Sequence, residues 1–510
     1  MVRRLFSVEV GLFLVLWLML LLVGRSALLR DPGTFWHVVV GERMLQRGHV
    51  VRADPFSFTF AGKPWVAHQW LAECGMAAVH RLAGLDGLLL VTASLLAGIY
   101  AWLGRRLLRA GFHLLPVGCV LALVLLASSH QFHVRPLVLS IGLLGVVFAL
   151  LVEIESGRRG LGQLAWLVPL CALWANLHAG VLAGLATAGL AAAGWCLLWV
   201  LGRDDSPVRR GRDATALIVL LVLSGLSVLV NPYGGDLPRA WLNTLAVPLP
   251  GLIQEHAPLN LTDPLGWATV VLGLGYLVGL AGVFPKMPRI TWLLPLIWFV
   301  LALGRVRNVP LFAVTAAIAA ADMLPHTRWI GWLQRREMFL PPVESSPASG
   351  RAGNWLPAIL PAALVIAAMV LQAAGVPAPL VGRGWARLDA ARWPVPLVPK
   401  LQELNRTAPA GTPIFNDLDF GGLLIYYAPR LRVFIDDRCA LYGGEFLQAY
   451  DHARRRQPSQ IDAWQAKYGF RHALVATGSA FDEHLQRAGA WRVLGRTPVA
   501  TLYAWVGKDL

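Results

Sequence analysis

The sequence predicts an α-helical polytopic membrane protein of about eleven spans, followed by a small C-terminal α/β domain. Three observations lead there. The 510 residues are 56% hydrophobic and 15% charged, with a mean hydropathy of +0.57, whereas soluble domains are about half apolar and about a quarter charged. The apolar residues fall in blocks of about 16–22, near the length that crosses the hydrocarbon core of a bilayer. The stretch from about 378 to 510 returns to ordinary composition, with short apolar runs between amphipathic segments, which is the pattern of a mixed α/β unit. A soluble enzyme, a disordered chain and a secreted disulfide scaffold are thereby excluded. The five cysteines show neither metal-binding nor disulfide spacing.

The first apolar block, Val8 to Leu28, follows Arg3 and Arg4 and lacks a small-residue cleavage site. It reads as an uncleaved span with a cytoplasmic N-terminus. Ten further spans are expected near 86–104, 113–129, 136–153, 163–180, 182–201, 214–231, 266–284, 288–303, 307–324 and 355–375. Alternation then places Arg105, Arg106 and Arg109, Arg158 and Arg159, Arg203 to Arg212, Lys286 and Arg289, and Arg328 to Arg336 in inside loops. Short cytoplasmic loops favour such residues. The net charge of +16 is therefore a topology signal, and nucleic acid is not an expected partner. Trp65–Leu82 is apolar enough to suggest another span, yet it holds His68, Gln69, Glu73, His80 and Arg81. Charges at the bilayer centre are expensive, and counting it would flip every later loop. It is expected to lie along the outer surface.

Four regions follow: a first span (1–28), an extracytoplasmic loop with juxtamembrane helices (29–85), a transmembrane bundle (86–376) and a soluble extracytoplasmic α/β domain (377–510). The bundle carries an outside loop at 232–265 and an inside linker at 325–354. The expected location is a bacterial inner membrane.

Polar residues gather on the outside: Asp31, His37, Asp54, His68, Gln69, His130, His133, Arg135, Asn176, His178, Asn231, Tyr233, Glu255, His256, Arg305, Arg307 and Asn308. An enzyme at the outer leaflet would have this distribution, as would a channel vestibule or transporter gate. Asp31 before Pro32 can begin a helix running to about Gln46, and Asp54 before Pro55 can form an Asx turn. Alternatively, these carboxylates bracket one amphipathic element. One could then act as general base toward an acceptor hydroxyl or amine, and the other could bind a metal or orient the acceptor. His130 and His133 can be interfacial anchors or, with His68 and His178, zinc-type ligands, although no fixed ligand spacing supports the second reading. Arg305 and Arg307, beside Asn308, depart from the inside preference. Guanidinium groups grip phosphate bidentately, and the phosphate at an outer-leaflet boundary is a lipid head group.

The run Asp31 … Trp36-His37 … Gly41-Glu42-Arg43-Met44-Leu45 … Arg47-Gly48 … Asp54-Pro55-Phe56 … Lys63-Pro64-Trp65 … Gln69-Trp70-Leu71 … Leu82-Ala83-Gly84 resembles the first external loop of GT-C membrane glycosyltransferases. Within that group it is similar to protein O-mannosyltransferases and aminoarabinose or lipid A glycosyltransferases. The resemblance implies a GT-C-like bundle in which two juxtamembrane helices precede the second span. It also makes Asp31, the acid after the first span, the candidate catalytic base. The usual partner acid or arginine nearby is missing, since Gly33 and Thr34 stand there. In the tail, Phe415-Asn416-Asp417-Leu418-Asp419-Phe420-Gly421-Gly422 and Val433-Phe434-Ile435-Asp436-Asp437-Arg438 resemble the surroundings of the Trp-Trp-Asp-Tyr-Gly motif of oligosaccharyltransferase soluble domains, without its tryptophans. Asp417, Asp419, Asp436 and Arg438 are the acceptor-side candidates.

The family chemistry so implied is transfer from a polyprenyl-phosphate sugar to a glycan, lipid or protein acceptor, with inversion at the anomeric carbon. Asp31 would be the base, with Asp54 secondary. Arg305 and Arg307, with Arg135, would meet the departing phosphate. His37, His68, Gln69, His178, Tyr233 and Asn308 would line the substrate site. Small residues such as Gly180 and Gly184 would let helices pack closely around a prenyl groove. No cofactor is certain; a divalent metal is possible. The competing readings are a non-catalytic lipid-linked-saccharide flippase or export component, and an O-antigen polymerase or ligase. The first calls for internal repeats or mid-membrane polar residues, and neither is evident. The second calls for arginines in large central outside loops, whereas 232–265 holds only Arg239.

Overall fold

The computed structural model describes residues 7–246, 256–339 and 356–507. Arg3, Arg4, Glu255 and much of the 325–354 linker lie outside the described residues. The helices of the N-terminal part are α1 Val8–Leu22, α2 Gly33–Arg47, α3 Trp70–Arg109, α4 Leu114–Ser128, α5 Leu137–Glu155, α6 Leu167–Leu177 and α7 Val181–Val200. They continue with α8 Gly211–Ser227, α9 Asp236–Ala246, α10 Pro264–Ala281, α11 Ile290–Gly304, α12 Val309–Met323, α13 Ile330–Arg335 and α14 Leu356–Ala373. Each of the eleven predicted spans overlies one of these helices. Among the described residues, six helical stretches are long and apolar enough to cross a membrane: Trp70–Arg109, Leu114–Gln131, Leu137–Glu155, Val181–Val200, Pro264–Ala281 and Val306–His326. The helices under the other five predicted spans are shorter or more polar. The chain is a helical membrane protein with a small C-terminal sheet.

Residues 70–82 are continuous with the second predicted span in α3, but Gly84 breaks the helix with φ 61° and ψ −150°. Only glycine adopts that conformation readily. The part before Gly84 packs on α2, and Gly41 permits the approach because a Cβ there would overlap the Glu73 carbonyl oxygen. The polar residues that argued against a span have protein partners. Arg81 grips Glu42 through two bonds of 2.7 and 2.8 Å, and His80 bonds the Tyr426 hydroxyl at 2.6 Å.

At the opposite end of the bundle, arginines read as topology signals also bind acids. Arg158 and Arg289 share the buried Asp322, and Arg106 and Arg159 share Glu153. Glu155 accepts from the Ile290 and Thr291 amides at 2.7 and 2.8 Å, satisfying the free N–H groups at the start of α11.

The tail adds α15 Val398–Thr407, α16 Gly421–Tyr427, α17 Cys439–Arg456, α18 Gln460–Tyr468 and α19 Ala480–Arg487. Its strands are β1 Pro413–Asn416, β2 Arg432–Val433, β3 His472–Ala476, β4 Trp491–Arg496 and β5 Ala500–Trp505, in the order β2-β1-β3-β5-β4. β1 runs parallel to β2 and β3, whereas β5 runs antiparallel to β3 and β4. The exposed edge of β2 is covered by the first loop. Phe58 N–H donates to the Val433 carbonyl at 3.0 Å, and Val433 N–H to the Phe56 carbonyl at 3.1 Å. Pairing an edge in this way satisfies backbone groups that would otherwise face water or another chain. First loop and tail, far apart in the chain, thus form one layer.

That layer is strapped to the membrane helices. Trp385 and Trp393 donate their indole N–H groups to the carbonyls of Leu21 and Leu29, at 2.9 and 2.8 Å. α16 lies on α2, and Gly422 has no side chain where a Cβ would overlap the Pro32 carbonyl oxygen. Gly422→Ala should therefore push α16 off α2 and lower the thermal unfolding midpoint in detergent. Gly189→Ala, in α7 with no atom within 4 Å of its Cβ position, should leave it unchanged or raised. Equal midpoints for the two variants would contradict this packing.

Candidate active site

The site forms where α2 begins. Asp31 Oδ1 accepts the Gly33 amide at 2.7 Å, so half of this carboxylate does the capping work expected of an acid before Pro32. Its other oxygen accepts from Arg135 at 2.7 Å. Backbone contacts bring Arg135 there: Val134 N–H donates to the Leu28 carbonyl at 2.9 Å, and Thr34 donates its hydroxyl to the Val134 carbonyl at 2.8 Å. The turn between α4 and α5 is thereby fixed against the residues around Asp31.

The tail supplies a second carboxylate, which the sequence reading passed over in favour of its neighbours Asp436 and Arg438. Trp36 donates its indole N–H to Asp437 Oδ1 at 2.6 Å. A Cβ on Gly33 would lie 2.6 Å from Asp31 Oδ1 and 3.2 Å from Asp437 Oδ2. The absence of a side chain at 33, which looked like a missing partner, is the space into which Asp437 fits. Burial, with the charges of Asp31 and Asp436, holds the Asp437 carboxyl well above the usual carboxylate range, and Arg135 opposes the shift. The one sequence signal was the acidic doublet after a predicted strand.

The flanking residues form a clamp. Arg438 bonds both oxygens of Asp436 at 2.8 and 2.7 Å and pairs with Asp54 at 2.8 Å. Its guanidinium lies 4.6 Å from the Trp65 ring centroid and 5.1 Å from that of Phe56. The Tyr442 hydroxyl donates to Asp436. Asp54 also accepts from the Phe56 and Ser57 amides and the Ser57 hydroxyl. These bonds fill the sites at which it would take a proton or a metal. Here the Asx-turn reading describes Asp54 better than the reading as a second base. Arg438 fully buried between two carboxylates is an ion triad whose loss would leave unpaired buried charge.

Around Asp31 and Arg135 stand three imidazoles. The fully buried His37 meets Glu73 with its Nδ1 at 2.9 Å from Oε1. Burial lifts the Glu73 carboxyl to about 8 and drives His37 well below its ordinary value. Below about 8 Glu73 thus keeps its carboxyl proton and His37 is a neutral imidazole, so the pair carries no charge. Gly180 N–H donates to His178 Nδ1 at 2.9 Å, so that nitrogen has no proton and Nε2 bears it. Ser140, which accepts from Trp174, bonds the same Nδ1 at 2.8 Å. Gln69 lies 3.1 Å from His68 Nε2, and burial depresses His68 to about 4. Arg135 acts electrostatically on His37, and Arg307 acts on His68. Both act on His178.

Apart from Arg307, the remaining predicted residues are dispersed. Arg307 bonds His256 at 3.0 Å, whereas Arg305 is exposed and makes no ion pair among the described residues. Of these two arginines, only Arg307 bears on the imidazoles. Asn308 closes α11 by bonding the Leu301 carbonyl. Tyr233 holds the Val51 carbonyl at 2.8 Å, tying the loop after α8 to the first loop. His130 Nε2 meets the Val306 carbonyl at 3.0 Å. No three His, Cys, Asp or Glu side chains converge on a metal position among the described residues. His130 and His133 thus do not join His68 and His178 in a ligand set. Asp417 lies inside the tail, bonded to Tyr450 and the Ala476 amide, and Asp419 pairs with Arg392 near the surface.

No protein-family model and no curated protein matches the chain by sequence. Solved structures match by shape. ArnT from Cupriavidus metallidurans in the apo state aligns over 97% of this chain and 97% of its own, at 14% identity and TM-score 0.50. The same protein bound to undecaprenyl phosphate aligns over 98% and 97%, at 15% identity and TM-score 0.48. The Archaeoglobus fulgidus oligosaccharyltransferase, in a complex with Zn and sulfate, aligns over 92% of this chain and 68% of its own, at 12% identity and TM-score 0.48.

The proton assignment at Glu73 makes stability depend on pH. An ordinary glutamate titrates near 4.5 and the buried one near 8. The stabilisation is complete below about 4.5 and is lost as pH rises through about 8. Its slope is at most about 1.4 kcal/mol per pH unit. Unfolding midpoints of Glu73→Gln should be flatter across that window than wild type; parallel curves would contradict a protonated Glu73. With two carboxylates and two arginines drawn to one end of a helical bundle, and with this shape, the chain is a membrane protein with the GT-C fold.

Proposed function

We propose that this protein is a membrane glycosyltransferase that moves a sugar from a polyprenyl-phosphate donor to an acceptor on the extracytoplasmic side. The observation that carries the reading is the joining of Asp31 to Arg135 at 2.7 Å, in the same polar cluster as Arg307. Glycosyl transfer from a lipid phosphate needs a base beside the acceptor and cations beside the leaving group. The acceptor hydroxyl or amine attacks the anomeric carbon, with inversion, as the bond from that carbon to the phosphate oxygen breaks. The electron pair stays on the phosphate, and the acceptor proton passes to the carboxylate. Arg135 and Arg307 meet the phosphate charge, and the Nε2–H of His178 is a further donor toward it. The prenyl chain lies along the apolar helices, where Gly184 sits against Trp174, 2.5 Å from its Cβ position.

Arg135 already neutralises one flank of Asp31, where a divalent cation would otherwise sit. The residues present do not fit a resident metal. The orientation follows from the charged loops: the arginine-rich end faces the cytoplasm of a bacterial cell, and the site faces outward.

The test uses the full chain in lipid nanodiscs with a panel of radiolabelled polyprenyl-phosphate sugars. Asp31→Asn should lower transfer by about 10²–10⁴-fold. Arg307→Ala should raise the donor KM about tenfold or more, and Arg305→Ala less than about twofold. Transfer unchanged in Asp31→Asn would remove Asp31 from the mechanism, and lipid-linked sugar movement without any transfer would favour a flippase.

A further inference from the structure

Asp436, Asp437 and Arg438 follow β2 directly, and their side chains divide between two tasks. Asp436 and Arg438 are fixed to each other and to Asp54 in the first loop. Arg438 is also sandwiched by Trp65 and Phe56. Asp437 takes no part in this clamp. It lies against Trp36 and Gly33, beside Asp31, and is less enclosed than either neighbour. β2 is joined to the first loop just upstream, through residues 56–58. Three successive contacts therefore fix where the tail delivers this carboxylate.

We propose that Asp437 is a catalytic residue contributed by the C-terminal unit, that Asp31 and Asp437 work as a carboxylate pair at the acceptor, and that Arg438, with Asp54 and Asp436, is the positioning device. The proposal rests on the transferase reading above and assigns the tail a share in the chemistry. Two carboxylates this close repel when both are ionised, so one retains a proton. Arg135 stabilises the charge on Asp31, which leaves the proton on Asp437. The protonated Asp437 donates a hydrogen bond to one lone pair of an acceptor hydroxyl oxygen and so aims the other at the anomeric carbon. Asp31 takes the acceptor proton as the new glycosidic bond forms and the phosphate leaves with its electron pair. That proton passes to water when the product departs. Gly33 belongs to the same device, because a side chain there would meet both carboxylates.

The full chain in nanodiscs, with the labelled polyprenyl-phosphate sugar that wild type uses, provides the test. Asp437→Asn keeps the shape and an acceptor for the Trp36 N–H. It should lower kcat about 100-fold or more with donor KM within about twofold, and remove the basic limb of the pH profile, on which the wild-type pair loses the Asp437 proton. Asp437→Glu should recover part of the rate. Asp54→Asn, at a distance from the reacting atoms, should move that basic limb to lower pH without removing it. Independently of turnover, an infrared titration of wild type minus Asp437→Asn should show a carboxylic acid that keeps its proton above the ordinary carboxylate range, with its midpoint lowered in Asp31→Asn. Full turnover and an unchanged basic limb in Asp437→Asn, with Asp31→Asn inactive, would overturn the proposal and leave the transferase reading intact. Full turnover in both variants would overturn both.

Discussion

The bond between Asp31 and Arg135 is the constraint on which the site depends. A carboxylate enclosed at the start of a helix costs free energy unless a cation and hydrogen-bond donors surround it. The Gly33 amide and Arg135 meet that requirement. Because Arg135 belongs to the turn after α4, satisfying Asp31 fixes that turn against the end of the first span. The Val134 contacts with Leu28 and Thr34 reinforce the join. The polar end of the bundle is thus set by charge matching as much as by helix packing.

A second constraint acts between layers. The tail could have remained a domain on a tether, but its sheet edge is completed by residues 56–58, its α16 rests on α2 through Gly422, and Arg438 reaches Asp54. Each contact fills a need created elsewhere: an open strand edge, an apolar helix face and a buried charge. Together they place the tail against the first loop, where a carboxylate 406 positions further along the chain comes to lie beside Asp31.

Much of this was legible in the sequence. The apolar blocks located the helices under all eleven predicted spans, because helices surrounded by lipid or by one another must be apolar along much of their length. The charges within 65–82 set that stretch apart from the span after it, and the structure breaks the helix between them at Gly84. Asp31, His37, His68, Arg135, His178 and Arg307 were named as polar residues of one side, and the structure groups them. What sequence could not supply was pairing across long separations. Asp54 and Arg438 read as site residues because nothing local shows that they neutralise each other. Glu73 looked like an interfacial charge, and only His37 folded against it makes it a neutral partner. Asp437 was passed over because its neighbour at Gly33 is defined by missing atoms.

Where a lipid phosphate binds is the direct test of the transferase reading. A density map of the full chain in nanodiscs with a polyprenyl phosphate measures this directly. The phosphorus is expected between Arg135 and Arg307, with Asp31 and Asp437 facing the open side on which an acceptor would approach. Density for the phosphate at the opposite, arginine-rich end of the bundle, or away from both of those guanidinium groups, would contradict it.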